Sequence, residues 1–195
     1  MRVPDAPRER VLYFDIDGTL VHETFGAAKR ALADGRFERL VRSAGFDRLV
    51  CVSDAVSIGR LIASQRPGED LMDTVLQLCG GTLRDSDWFR QNVRPVFDPI
   101  HRGRYIDTRH DWYFVDDWAA THLEQAYPST FIEYLRQGRV LQCNAAGSGD
   151  DIVAWLRRIA QRPHPGRRAA GRVAAPRPLR WGRRQAGASW FAAAS

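Results

Sequence analysis

Acidic side chains follow two of the most apolar runs in the sequence. The run VLYF at 11–14 leads into Asp15 and Asp17, and the run WYFV at 112–115 leads into the acid pair 116–117. An ionised carboxylate can attack an electrophilic centre, and a second carboxyl group can move a proton. Hard carboxylate oxygens are also the ligands that Mg²⁺ prefers. These residue types predict a site that combines nucleophilic, acid–base and metal chemistry.

A glycine turn and a serine extend this set. Gly18 follows Asp17 directly, and a glycine lets the backbone approach a phosphate closely and adopt dihedral angles that a side chain forbids. Ser53 follows a third apolar run at 49–52. Each residue also has an ordinary structural interpretation, because Asp-Gly is a common turn and Ser is a common helix N-cap. The pair 116–117 can likewise cap a helix, and capping does not exclude metal binding by one of the two acids.

The string YFDIDGTL at 13–20 resembles the first motif of the haloacid dehalogenase-like superfamily. In that family the first aspartate attacks phosphorus and forms an aspartyl phosphate, and the second acts as general acid and base. The resemblance therefore implies that Asp15 is the nucleophile and Asp17 the acid–base group. It also places Gly18 and Thr19 beside the phosphate.

The remaining motifs of this family match less evenly. Ser53 matches the second motif, whose hydroxyl holds a phosphate oxygen. Asp116 and Asp117 resemble the fourth motif, whose acids coordinate Mg²⁺. In the family the first aspartate of motif one and the backbone carbonyl of the second also contact the metal. The resemblance thus implies a metal site formed by Asp15, Asp17, Asp116 and Asp117.

The basic third motif of the family departs from its usual form. The family supplies a Lys, or sometimes an Arg, between the second and fourth motifs, whereas Lys29 is the only lysine here and precedes both. Arg102 and Arg104 are the best substitutes, because a guanidinium can fork onto phosphate oxygens. We expect Arg102 to bind phosphate, with surface solvation as the alternative for either arginine.

Short apolar runs alternate with helical patterns along the chain. This alternation predicts an α/β, Rossmann-like fold with a parallel sheet flanked by helices. In such sheets ligands bind beyond the carboxyl ends of the strands, where Asp15, Ser53 and Asp116 are expected to meet. The predicted strands cover 11–14, 49–52, 105–106, 112–115 and 139–143. Helical patterns cover 26–44, 54–98, 118–127, 129–137 and 151–160, with a loop at 98–104.

The chain divides into three predicted parts. Residues 1–10 form an N-terminal arm, 11–160 form the hydrolase-like domain, and 161–195 form a tail that we expect to be disordered because it is rich in Arg, Ala, Pro and Gly. The stretch between the first motif and the second strand is short. We therefore expect little or no cap domain at that position.

Charge and cysteine usage limit the classes of partner. The net charge of +6 belongs to the tail, because residues 161–195 hold eight Arg and no acid, which leaves 21 basic and 23 acidic residues in the rest. We therefore do not expect nucleic acid to be a partner. No apolar run reaches membrane-spanning length, and three scattered cysteines indicate neither a disulfide framework nor a zinc site. We expect a cytoplasmic protein without a membrane partner.

Together these features predict a Mg²⁺-dependent phosphohydrolase that cleaves a phosphate monoester through an aspartyl phosphate. The alternative is a catalytically weak protein of the same fold with a binding or regulatory role, because a third-motif lysine is missing. The sequence predicts a phosphorylated substrate but neither its identity nor the oligomeric state.

Overall fold

The computed structural model describes residues 8–24, 27–29, 32, 36–54, 91–96, 99–145 and 147–164. Five parallel strands form one sheet in the order β5-β4-β1-β6-β7. These strands are β1 (Arg10–Phe14), β4 (Arg48–Cys51), β5 (Val93–Pro95), β6 (Asp111–Asp116) and β7 (Val140–Gln142). The hairpin strands β2 (His22–Thr24) and β3 (Ala27–Lys29) pair antiparallel beside it. The helices are α1 (Arg36–Ser43), a 3₁₀ helix (Pro99–Tyr105), α2 (Ala119–Ala126), α3 (Phe131–Arg136) and α4 (Asp150–Ala160).

Strand β1 is buried along its whole length because helices cover both faces of the sheet. Its alternate residues enter two apolar clusters, as the two-residue period of a strand requires. Leu12 and Phe14 pack in the cluster that holds the apolar faces of α1 and α4. Val11 and Tyr13 pack in the cluster that includes α2. The predicted α/β fold with a parallel sheet flanked by helices is confirmed.

The order of the strands reverses at β1. The chain runs from β1 outward through β4 to β5, and then returns to β6 on the other side of β1. In doubly wound sheets such a reversal opens a crevice at the carboxyl ends of the two strands that flank it. Here those ends lead into Asp15 and Asp116. The fold therefore brings the two predicted acid motifs together at the position where such sheets bind ligands.

A buried arginine ties the opposite end of the sheet together. Arg10 donates from Nε to Oδ2 of Asp111 at 2.8 Å, from Nη1 to the carbonyl oxygen of Ala44 and from Nη2 to that of Pro163, each at 2.9 Å. His164 also lies 3.0 Å from the carboxylate of Asp47. The residues just after α4 thus pack on the domain beyond its predicted end at 160. The other predicted tail residues, 165–195, and most of the N-terminal arm lie outside the described residues.

Four local predictions were wrong. Ala27–Lys29, expected in a helix, is strand β3, and Val93–Pro95, also expected in a helix, is the edge strand β5. The expected loop at 98–104 is the 3₁₀ helix over its described residues from Pro99, and the expected strand at 105–106 does not form, because Tyr105 ends that helix and Ile106 lies in no strand. Strands β3 and β5 form because their backbones hydrogen-bond to a neighbouring strand. Each has only three residues, which is too few for a strand periodicity to be detected in the sequence. In the 3₁₀ helix, Gly103 allows close packing on α2, since a Cβ there would collide with the carbonyl oxygen of His122.

The helical prediction for 55–90 concerns residues outside the described set. Between β1 and β4, the described residues form only the hairpin β2–β3 and the eight-residue helix α1. This agrees with the expected small insertion after the first motif. None of the helices in the described ranges is long and apolar enough to cross a membrane.

Candidate functional site

A cavity of about 520 Å³ opens at the carboxyl ends of β1 and β6. Its size falls within the range of small-molecule pockets in proteins. Four acids, one arginine and two aromatic side chains contribute to its wall. The lining residues are Asp15, Asp17, Gly18, Asp54, Arg102, Asp117, Trp118 and His122.

Asp15 lies at the floor of this cavity with only 1% of its surface exposed. Its backbone amide donates to the carbonyl oxygen of Val115 at 3.1 Å, which continues the pairing of β1 with β6. The hydroxyl of Thr19 lies 3.5 Å from Oδ2. Oδ1 is buried and has no hydrogen-bond partner within the described part of the chain. The backbone thus fixes the carboxylate at the cavity floor, where Oδ1 lies 3.3 Å from Nη1 of Arg102.

The environment of Asp15 opposes its ionisation. Burial, followed by the charge of Asp116, raises the pKa of Asp15 to about 8, and Arg102 and the Ser53 hydroxyl offset part of this rise. Burial and the charge of Asp116 also raise the pKa of Asp117. A bound cation would favour the ionised forms of both groups.

Arg102 provides the cationic side chain of the site. It is 7% exposed, and its Nη1 lies 2.6 Å from Oδ2 of Asp116 and 3.3 Å from Oδ1 of Asp15. Its Nη2 reaches Oδ2 of Asp54 at 3.0 Å. Arg104, the other candidate, has an exposed side chain. The 3₁₀ helix therefore delivers Arg102, and not Arg104, between the two acid motifs.

Three carboxylates fit a divalent cation. Asp15, Asp116 and Asp117 each offer one oxygen, and these oxygens lie within 4.8 Å of one another. Mg²⁺ commonly takes a few carboxylates and completes its coordination with water and phosphate oxygens. The exposed side chain of Asp17 is not part of this group, although it lines the same cavity.

Asp116 makes one contact just before α2 and another with Arg102. Its Oδ1 accepts a hydrogen bond of 2.6 Å from the backbone amide of Trp118, just before α2 begins. Its Oδ2 faces Arg102. One carboxylate therefore holds the residue that precedes α2 and contributes to the acidic cluster.

Gly18 brings the two predicted acid motifs into contact. Its φ angle of +73° lies in the left-handed region that glycine tolerates best. A Cβ built on Gly18 would lie 2.5 Å from Oδ2 of Asp117. Its amide donates to the carbonyl oxygen of Val21 at 2.9 Å and is used within the turn. The turn needs glycine both for its conformation and for the space that Asp117 occupies.

Two of the predicted phosphate-binding residues lie behind Asp15. Thr19 and Ser53 are fully buried. The hydroxyl of Thr19 lies between the Asp15 carboxylate and Sγ of Cys143, 3.5 Å from each. In this position the Thr19 hydroxyl can orient the Asp15 carboxylate. Direct phosphate binding by Gly18, Thr19, Ser53 and Arg102 stays a prediction.

Sequence reasoning missed three residues of the cavity wall: Asp54, Trp118 and His122. Asp54 and Trp118 directly follow the motif residues Ser53 and Asp117, so proximity to a motif was an available signal. His122 lies one helical turn after Trp118, and burial lowers its pKa.

The chain matches no protein-family model, no curated protein and no solved structure. What the site can do follows from the positions and charges of its side chains.

Proposed function

We propose that this protein is a Mg²⁺-dependent phosphohydrolase that cleaves phosphate monoesters through an aspartyl phosphate on Asp15. The observation that carries this proposal is the buried contact of Arg102 with both Asp15 and Asp116 at the reversal point of a parallel sheet. A nucleophile candidate, a buried cation and an acid group that could hold a metal thus lie together at this cavity.

The charge of the cavity supports the need for a metal. Five carboxyl groups line or back the cavity among the described residues, and the Arg102 guanidinium contacts three of them, Asp15, Asp54 and Asp116. A phosphate dianion would be repelled from such a site without further positive charge. Asp15, Asp116 and Asp117 would hold Mg²⁺, which neutralises charge between the nucleophile and the phosphoryl oxygens when it is bound.

The side chains can divide the reaction between them. An oxygen of ionised Asp15 attacks phosphorus, and the bond from phosphorus to the leaving oxygen breaks. Asp17, exposed at the cavity wall, gives its proton to that leaving oxygen and then accepts one from the water that hydrolyses the aspartyl phosphate. Arg102 offsets negative charge on the transferring group. Thr19 and Ser53 hold the Asp15 carboxylate from behind.

The resemblance of residues 13–20 to the haloacid dehalogenase-like first motif supports the same division of roles. It implies an attacking Asp15 and a proton-transferring Asp17. The missing third-motif lysine favoured a catalytically weak binding protein as the alternative. Arg102 weakens that alternative, because a buried cation contacts the acids of both the first and the fourth motif.

Hydrolysis of a chromogenic phosphate monoester by the full-length protein tests the proposal. We expect turnover that requires Mg²⁺, stops with excess chelator and is abolished in Asp15→Asn. Asp47→Asn is the matched control, because Asp47 lies at the opposite end of the sheet beside Arg10. No turnover of a panel of monoesters by folded, metal-loaded protein would contradict the proposal and favour the binding alternative.

A further inference from the structure

Trp118 presents a large apolar surface beside the proposed reaction centre. Its side chain is 62% exposed, which is the largest exposure of a large hydrophobic residue in the described ranges. The indole lines the same cavity as Asp15 and Arg102. Tryptophan loses much favourable apolar burial when it is left in water. An aromatic ring in that position suits contact with a ligand.

The position of Trp118 relative to the acids is fixed. Its backbone amide donates to Oδ1 of Asp116 at 2.6 Å, and its carbonyl oxygen accepts from the amide of His122 at 3.2 Å. The first contact ties the residue to the acidic cluster, and the second ties it to the first turn of α2. These two hydrogen bonds therefore hold the backbone of Trp118, to which the indole is attached, beside the proposed reacting groups.

His122 adds a second flat ring to the same wall. Residues four apart on a helix lie on one face, and both Trp118 and His122 line the cavity. Nδ1 of His122 is buried without a hydrogen-bond partner among the described residues, although the ring itself is only half-buried. The rest of the cavity wall is mainly acidic. One side of the cavity can thus accept a flat group, and its acids disfavour further negative charge there.

We propose that Trp118 is a stacking surface for the leaving group, so that the preferred substrates are phosphate monoesters of small molecules with a flat, uncharged aromatic ring. This inference rests on the proposed function, in which the phosphate occupies the acidic end of the cavity. The cavity of about 520 Å³ suits a small ester. Trp118 and Asp17 line the same cavity, so a ring that stacks on Trp118 keeps the leaving group within the cavity that Asp17 lines.

A matched pair of esters tests this preference in the full-length protein with Mg²⁺. Benzyl phosphate and cyclohexylmethyl phosphate have leaving alcohols of similar size and acidity, but only the first has an aromatic ring. We expect kcat/KM to be about fivefold higher for benzyl phosphate, the size of a single aromatic stacking contact. Trp118→Ala should bring the ratio close to one, and Trp118→Phe should retain most of it. Ile132→Ala, which removes an exposed apolar side chain on α3, should keep the wild-type ratio.

The outcomes separate this inference from the proposed function. Equal kcat/KM for the two esters in the wild type, or an unchanged ratio in a folded Trp118→Ala variant, overturns the stacking role. If neither ester is hydrolysed, the proposed function is contradicted. The stacking role of Trp118 is then tested by ligand binding. With Mg²⁺ present, calorimetry should show tighter binding of benzylphosphonate than of cyclohexylmethylphosphonate only when residue 118 is aromatic. Equal binding of the two phosphonates overturns the inference.

Discussion

Arg102 and Asp116 form a buried ion pair, with Nη1 of the guanidinium 2.6 Å from Oδ2 of the carboxylate. The same Nη1 lies 3.3 Å from Oδ1 of Asp15. One guanidinium therefore lies between the acids at the carboxyl ends of two neighbouring strands. Buried carboxylates in contact with one another repel unless a cation compensates them. In the metal-free protein Arg102 supplies that compensation.

Replacing Arg102 should destabilise the metal-free protein. Arg102→Met keeps most of the side-chain volume but leaves Asp15 and Asp116 buried without a cation. We expect the free energy of unfolding in urea with chelator to fall by about 3 kcal/mol. The control is Arg104→Met in the same 3₁₀ helix, whose exposed side chain should contribute less than about 0.5 kcal/mol. Equal small losses in the two variants would contradict the compensating role of Arg102.

Gly18 and Gly45 provide a matched pair for testing the turn. Their φ angles are +73° and +71°, so alanine at either position should cost about 1–2 kcal/mol of unfolding free energy. A Cβ at Gly45 meets only an atom of His164 at 3.6 Å, whereas a Cβ at Gly18 would displace Asp117. We therefore expect Gly18→Ala, but not Gly45→Ala, to weaken Mg²⁺ binding measured by calorimetry. Equal Mg²⁺ affinity in both variants would show that the contact with Asp117 is unimportant.

The three-acid group predicts that removing one of its carboxylates weakens metal binding, whereas removing a distant carboxylate does not. Asp117→Asn removes one charged oxygen from the group and should weaken Mg²⁺ binding by at least about tenfold. Asp150→Asn removes an equal charge from the exposed start of α4 and should leave the affinity unchanged. Direct titration of the full-length variants with Mg²⁺ measures both. The same affinity in the Asp117→Asn variant and the wild type would exclude Asp117 as a ligand.

Metal-free stability should fall as the pH rises. The pKa of Asp15 is about 8 in the folded protein and 3.8 without burial, so between these values the folded state binds more protons than the unfolded state. Linkage then makes the free energy of unfolding decrease from about pH 4 to pH 8, by on the order of a few kcal/mol. Asp15→Asn should show a smaller decrease in urea unfolding series at pH 5 and pH 8.5. Stability that increases over this range relative to Asp15→Asn would contradict the assignment.

The sequence predicted the structure best where a buried apolar strand ends in a polar residue of the candidate site. The runs that became β1, β4 and β6 are strongly apolar because both faces of the sheet are covered, and each leads into a polar residue at the crevice. Asp15 and Asp116 were therefore predicted both as strand ends and as neighbours. The hydrogen bond from the Trp118 amide to Asp116 lies just before α2 and is not a side-chain cap of that helix, so the capping interpretation of the acid pair is not confirmed.

The elements that the sequence missed depend on contacts made far along the chain. Strand β5 pairs with β4 but has only three residues, and its Pro95 fits an edge position that a sequence pattern does not reveal. The choice between Arg102 and Arg104 likewise depends on how the 3₁₀ helix packs on α2, where Gly103 allows close approach. His122 had no motif of its own, and only the register of α2 places it at the cavity.

The identity of the nucleophile can be tested by trapping the covalent intermediate. Full-length protein turning over a phosphate monoester with Mg²⁺ would be quenched and treated with borohydride, which reduces an acyl phosphate to an alcohol. Peptide mass spectrometry should then find homoserine at position 15, and only when both ester and Mg²⁺ were present. Recovery of position 15 entirely as aspartate under conditions of turnover, or homoserine at another acid, would contradict nucleophilic attack by Asp15.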